Sequence, residues 1–288
     1  VFFLDDNLLA NRRHARALFE RLRGSGIVWQ AAASLDVARD PRYLDEAYDA
    51  GCRSLFLGFE SLSPENMRGA NKPVNAAADY AEVCRRFHDA GIMINGSFVF
   101  GFDCDGPDVF DRTVDFTIEN KILTASFHIL TPLPGTRLFA RFDSEGRLLH
   151  RDWSRYDTYH AVYRPRCMTP EQLESGYRLA RRRFAAWNSI LPRSLGLPGA
   201  LKRLAYNVAW MKIDPLWVAI IRAGLMPAAT AEYRFACAEP AIRTTEVEQF
   251  CSWSAWMMSR RPSACTYSGS DSNCSYGTAK HMRMKSST

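Results

Sequence analysis

The chain has 288 residues, 47% of them hydrophobic and 24% charged, enough to bury one sizeable core and a small appended unit. Its 37 basic residues exceed its 31 acidic ones by 6, a mild surplus with no basic stripe interleaved with aromatics, which sets nucleic acid aside as a partner. No apolar stretch approaches the roughly 20 residues that span a bilayer, and Val1–Leu4 running into Asp5-Asp6 is not a signal peptide but reads as a cut end.

The first 130 residues alternate apolar runs with helical periodicity. Val1–Leu4 is the first run, and Ala15, Leu18, Phe19 and Leu22 then recur at helix spacing until Gly24. Ile27–Ala33 is the second run, followed by a short helix from near Pro41 to Gly51. Ser54–Phe59 is the third run, apolar on both faces in the manner of a strand buried on both sides. Ala76, Tyr80, Val83 and Phe87 mark a helix that ends at Gly91. Ile92–Phe100 is the fourth run, Pro107–Lys121 a helix with Pro in its first turn, and Ile122–Leu130 the fifth run.

Five runs separated by helices predict an α/β fold with parallel strands and right-handed crossovers. Asp5-Asp6-Asn7, Ser34, Glu60-Ser61, Asp103 and Thr131 each follow the last apolar residue of a run. In a parallel barrel those positions share the C-terminal rim, where active sites are built, so the pattern favours an enzyme over a structural module.

Beyond residue 130 the character changes. Thr131–Thr136 (Thr-Pro-Leu-Pro-Gly-Thr) is a rigid turn, and an irregular stretch holding Trp153, Tyr156, Tyr159 and Tyr163 follows. Thr169-Pro170-Glu171-Gln172 is a capping box with Pro at the first helical position, opening a helix through Leu173, Tyr177, Ala180, Phe184 and Trp187. Residues 191–235 read as helices broken by prolines. From Glu248 onward there is no Leu, Ile or Val, so 240–288 reads as a disordered or aberrant tail that cannot bury a core. The eight cysteines, at 52, 84, 104, 167, 237, 251, 265 and 274, form no CxxC or CxxxCxxC pattern. Neither a zinc nor a cluster site is read from them, and reduced thiols in a cytoplasmic setting are expected.

The order Phe-Leu-Asp-Asp-Asn (3–7), Gly-Cys-Arg-Ser-Leu-Phe-Leu-Gly-Phe-Glu-Ser (51–61), Asn-Lys-Pro (71–73) and Gly-Ser-Phe-Val-Phe-Gly-Phe-Asp (96–103) resembles the radical S-adenosylmethionine (SAM) superfamily. The branch it is most similar to usually carries an N-terminal cobalamin-binding domain. Thr131–Thr136, Gly146-Arg147, Asp152–Asp157 and Pro165–Leu173 resemble the extension that follows the barrel in that branch. The resemblance spans roughly residues 1–190 and weakens to 235. It implies a partial (β/α)6 barrel lacking its first strand over 1–130, an irregular then helical extension over 131–239, and the tail over 240–288. It further implies a truncated member that starts after the CxxxCxxC loop, inert as it stands. Its ligands for a [4Fe–4S] cluster and for cobalamin would lie outside this chain.

The implied activity is reductive cleavage of SAM to a 5′-deoxyadenosyl radical, used by many relatives for cobalamin-dependent methylation of an unreactive carbon. The implied partners are a small or lipid-like substrate and a reductant such as flavodoxin or ferredoxin. Residue by residue, Asp5, Asp6 and Asn7 match the motif that holds the methionyl ammonium, a cation that needs carboxylate or amide acceptors in a dry pocket. Glu60 and Ser61 match the ribose position, Val99 and Gly101 the adenine-packing motif, and Thr131-Pro132 the segment whose backbone meets the adenine edge. Ser34 is a further candidate, while Ser97 and Cys104 depart from the family pattern.

Plainer readings stand beside these. Asp6 or Asn7 can cap a helix, Glu60 can pair with Arg53 or Arg68, Val99 can be core, and Thr131-Pro132 can be only a turn. Gly101 would allow close backbone approach to a nucleoside. His128 reads as a hydrogen-bonded core histidine before a ligand; Tyr156, Tyr159 and His160 serve aromatic packing or face a substrate. Two other function classes remain: a metal-dependent barrel hydrolase or lyase using Asp6, Glu60 and His128, and a docking module. The latter would dock on a membrane or a partner through Arg178, Arg181, Arg182 and Arg183 and the apolar 204–226 region, with snorkelling surface arginines as the plainer account of that helix.

Overall fold

The computed structural model describes residues 1–70, 75 and 79–209. The Asn71–Pro73 motif, Ala76, the four later cysteines, the extension from 210 to 239 and the 240–288 tail lie outside the described residues.

In chain order the elements are α1 (Arg12–Leu22), β1 (Trp29–Ala33), a 3-10 turn (Leu35–Arg39), α2 (Pro41–Asp49), β2 (Cys52–Glu60), α3 (Pro64–Gly69) and α4 (Tyr80–Asp89). Then come β3 (Met93–Phe100), α5 (Val109–Glu119), β4 (Thr124–Ile129), α6 (Arg137–Ser144), a second 3-10 turn (Trp153–Arg155), α7 (Pro170–Phe184), α8 (Trp187–Ser194) and α9 (Ala200–Val208). Local chemistry sets the helix starts. Side chains of Asn11, Asp40, Asp79 and Thr136 each accept a hydrogen bond from a first-turn backbone N–H. The expected capping box is present, with Thr169 and Gln172 each bonding the other's backbone.

The strands form one all-parallel sheet in the order β1-β2-β3-β4. The first run sits where expected, beside β1, but makes only a parallel bridge from Phe2 to Gln30 rather than a strand. Its pairing ends after Phe3 N donates to the Gln30 carbonyl at 2.9 Å, because Asp5 and Asp6 turn out to solvent. Helices α3 and α6 were not foreseen. Of the residues in α6 only Phe142 is buried, so it carries little apolar periodicity.

The expectation for β2 is corrected. Leu55, Leu57 and Phe59 are fully buried, while Phe56, Gly58 and Glu60 are only half-buried. The face bearing Leu57, Phe59, Ile94, Phe98, Phe100, Phe127 and Ile129 packs on helices. Phe98 and Phe59 meet Phe116 of α5, and Phe127 meets Phe184 of α7, edge to face at 5.3–6.3 Å. The C-terminal helices are clamped to the sheet by Arg193, which is fully buried. It donates to the carbonyls of Ile122, Leu123, Phe184 and Ser189. No helix among the described residues is long and apolar enough to cross a membrane.

Candidate functional site

The helix-free face of the sheet follows from strand alternation. In-register neighbours Phe56, Asn95 and Thr124 form one level, Gly58, Ser97 and Ser126 the next, and Val99 and His128 the one nearest the strand ends. Apart from Phe56 and Val99, this face carries glycine and polar residues where the other is aromatic and aliphatic. Asn95 and Ser126 are hidden in the sequence because they fall inside Ile92–Phe100 and Ile122–Leu130, which read as whole apolar runs. Asn95 and Ser97, then Ser126 and His128, alternate with Ile94, Gly96, Phe98, Phe127 and Ile129, and that period of two was the available sign.

Because all strands are parallel and neighbours, their C-terminal ends open on one rim. Glu60 stands there at a break in the ladder. Register shifts between Gly58 and Glu60, and Glu60 has φ of +65°, a left-handed conformation uncommon for a residue with a Cβ. The bulge is held from outside: Asn75 Nδ2 donates to the carbonyls of Gly58 and Phe59 at 2.9 and 3.2 Å, and the Tyr80 hydroxyl reaches those of Phe59 and Ser61 at 3.1 and 3.2 Å. Glu60 then folds back over Gly58, where any Cβ would lie 2.8 Å from Oε1. Such strain persists only where surroundings over-determine it, and it concentrates at functional sites.

On the β1 side, Asn7 Nδ2 donates to Ser34 Oγ at 3.0 Å, joining two of the predicted residues. Asn7 Oδ1 is buried and has no hydrogen-bond partner among the described residues. Asp5 and Asp6 are exposed on the same loop. On the far side, His128 is half-buried, with Nδ1 3.2 Å from Thr158 Oγ1 of the extension. Burial lowers its pKa below the ordinary histidine value, with the charge of Glu60 acting in the opposite sense. Thr158 itself has φ of +68° and its carbonyl accepts from Ile129 N at 2.7 Å, so the extension bends under strain to meet the end of β4. Beside it, His160 Nδ1 lies 2.8 Å from Asp157 Oδ2. Tyr156 is buried and donates to the His150 carbonyl.

Other predicted residues fall into structural settings. Ser61 is buried, and its hydroxyl accepts from Ser63 N and Asn66 Nδ2, both at 3.1 Å. Asn66 continues to Asp105 at 2.6 Å, whose other oxygen takes the backbone N–H groups of Gly101 and Phe102 at 2.9 and 3.0 Å. This network ties the β2 and β3 rim loops together and was missed, since Asn66 and Asp105 lie far apart in sequence. Gly101 has φ of +98°, and a Cβ there would strike the Tyr163 hydroxyl and come 2.9 Å from Leu173 Cδ2. The extension therefore accounts for this glycine. Val99 is half-buried on the helix-free face, Thr131 Oγ1 donates to the Ile129 carbonyl at 2.9 Å, and Pro132 is buried.

The described residues do not fit an iron–sulfur cluster or a catalytic metal, since no three His, Cys, Asp or Glu side chains come together to hold one. Burial pushes the Cys52 and Cys84 thiols up to about 12, and Cys104 and Cys167 are exposed on separate loops. The hydrolase alternative based on Asp6, Glu60 and His128 lacks a ligand set for the same reason. What the rim does hold is the Glu60 bulge and, on the β1 side, a buried Asn7 amide oxygen without a hydrogen-bond partner among the described residues.

No family model matches the chain. It is 34% identical over 196 residues to the bacteriochlorophyllide d C-12(1)-methyltransferase of Chlorobaculum tepidum, covering 68% of this chain and 42% of that protein. It is 28% identical over 209 residues to the C-8(2)-methyltransferase of the same organism, covering 72% and 46%. To the hopanoid C-2 methylase of Rhodopseudomonas palustris it is 30% identical over 158 residues, covering 53% and 30%. The chain thus spans less than half the length of these relatives. Among solved structures, the radical SAM methyltransferase TsrM of Kitasatospora setae aligns over 72% of this chain and 43% of its own, at 16% identity and a TM-score of 0.45.

Proposed function

We propose that this chain belongs to the radical SAM superfamily, a reading supported by its similarity to the methyltransferases above, and that it forms the SAM-facing half of a methyltransferase acting on an unreactive carbon of a small, lipid-like or polycyclic molecule. In this reading residues 1–130 are part of a (β/α)6 barrel whose first strand is not among the observed ones, and 131–239 are its extension. The [4Fe–4S] cluster and cobalamin belong to the whole enzyme, and no step is routed through residues of this chain to either.

The chain's own residues bind and orient. Asn7, with Asp5, Asp6 and Ser34 beside it, receives the methionyl ammonium through the unsatisfied Oδ1. Glu60 accepts from the ribose hydroxyls, and Val99 packs under the adenine. The Thr131-Pro132 backbone borders the adenine edge, while Ser61 and Gly101 shape the loops rather than touch the ligand. The observation that carries the reading is Glu60, held in a left-handed bulge at the shared rim of the parallel strands.

The test is saturation-transfer NMR with SAM and the intact chain. Adenine and ribose protons should receive saturation, and Glu60→Gln should weaken binding by about 1–3 kcal/mol, the cost of leaving buried hydroxyls poorly paired. Equal binding by the variant would remove Glu60 from the site, and no transfer to the adenosyl protons would remove the site itself.

A further inference from the structure

Away from the rim, we propose that the helices α7–α9 form a docking surface for an anionic lipid bilayer, with a Trp–Leu ridge on α8 as its apolar contact. Trp187 and Leu191, four residues apart on α8, share one face and are 52% and 41% exposed, and Leu195, just past the end of α8 in extended backbone, is 47% exposed. Leu201, in the first turn of α9, is 80% exposed, and Leu179 of α7 is 46% exposed. Because α8 and α9 pack on each other, their exposed apolar groups present one contact surface rather than scattered surface leucines.

Charge selects the occupant. Between Glu174 and Asp214 the chain contains no acidic residue, yet it carries repeated Lys and Arg. Several of these are committed: Arg193 and Arg203 are buried, Arg183 pairs with Asp111 and Asp115, and Arg178 with Glu174. Arg181 is committed as well, lying over the Tyr177 ring and donating to its hydroxyl, whereas Arg182 and Lys202 are exposed and make no ion pair among the described residues. An apolar ridge flanked by unneutralised cations matches anionic headgroups above an acyl boundary, where tryptophan also partitions. A nucleic acid would place phosphates against the leucines. A second copy related by a twofold axis would bring the same cations face to face. Arg193 anchors α8 to the carbonyls that precede β4, at the end of the sheet opposite the rim, so docking there leaves the rim loops clear.

The experiment is co-sedimentation of the full chain with phosphatidylcholine vesicles, with and without about 30% phosphatidylglycerol, at low and high salt. The expected result is binding to the anionic vesicles that falls with salt, and at least about tenfold weaker binding for Trp187→Ser/Leu191→Ser/Leu195→Ser. The pair Arg182→Glu/Lys202→Glu, which changes only exposed side chains, should weaken binding comparably, with urea melts confirming that both variants fold. The proposal fails if the triple variant binds like the unmodified chain or if neutral vesicles bind equally well. It fails as well if no vesicles are bound, or if light scattering shows a dimer that the triple variant dissolves without any vesicle binding.

Discussion

Gly101→Ala tests whether the extension, rather than a ligand, dictates the glycine at the end of β3. The new methyl group meets two costs. The backbone sits at φ of +98°, where an L-residue is strained by about 1–3 kcal/mol. The Cβ would also strike the Tyr163 hydroxyl and approach Leu173 Cδ2 to 2.9 Å, an overpacking worth about 1–3 kcal/mol. Gly135→Ala isolates the first cost, since its φ is +83° and nothing lies within 4 Å of its added Cβ. Both substitutions restrict the unfolded chain alike, so that contribution cancels. Equilibrium urea unfolding should therefore show Gly101→Ala destabilising by about 4 kcal/mol and Gly135→Ala by about half as much.

Tyr163→Phe removes the hydroxyl that donates to the Gly101 carbonyl, at a cost of about 1 kcal/mol. In that background the added methyl should cost less by 1 kcal/mol or more, a coupling that a double-mutant cycle reads directly. If the two glycine variants lose the same stability, or the Tyr163→Phe background gives no relief, the extension does not press on Gly101 and its assignment as a packing glycine is wrong.

Arg193→Met should cost about 3 kcal/mol, because four carbonyls lose a buried donor that burial lowers to a pKa of about 9 but leaves protonated at neutral pH; a variant as stable as the parent in urea would contradict the clamp. Burial raises the Asp105 pKa from 3.8 to about 6, against the opposing pull of the Gly101, Phe102 and Asn66 donors. A carboxyl raised in the folded state contributes stability that is full below its unfolded value and lost as pH rises through its folded value. The parent should accordingly lose up to about 3 kcal/mol relative to Asp105→Asn between pH 4 and pH 7. Parallel stability curves for the two proteins would show that Asp105 does not titrate in that window.

Strand–helix alternation was legible because a strand and a helix each repeat their apolar residues at a fixed period. The capping box at Thr169 was legible because it needs only residues three apart. Placement of Ser34 and Glu60 at strand ends followed from the same periodicity, since a parallel sheet gathers those ends on one rim. Helix α6 was not visible, with one buried residue in its length. Likewise, Ser61 could not be told from a ligand residue until its loop partner Asn66 was in place.

Sequence by itself determined the alternation of strands and helices and the parallel order of the strands, because both depend on local spacing along the chain. Only the tertiary structure decided that β2 is buried on one face, that Glu60 turns through a left-handed bulge held by Asn75 and Tyr80, and that Gly101 answers to Tyr163 and Leu173. Those facts depend on side chains from distant segments meeting in space. Local periodicity carries no information about which surfaces those segments will share.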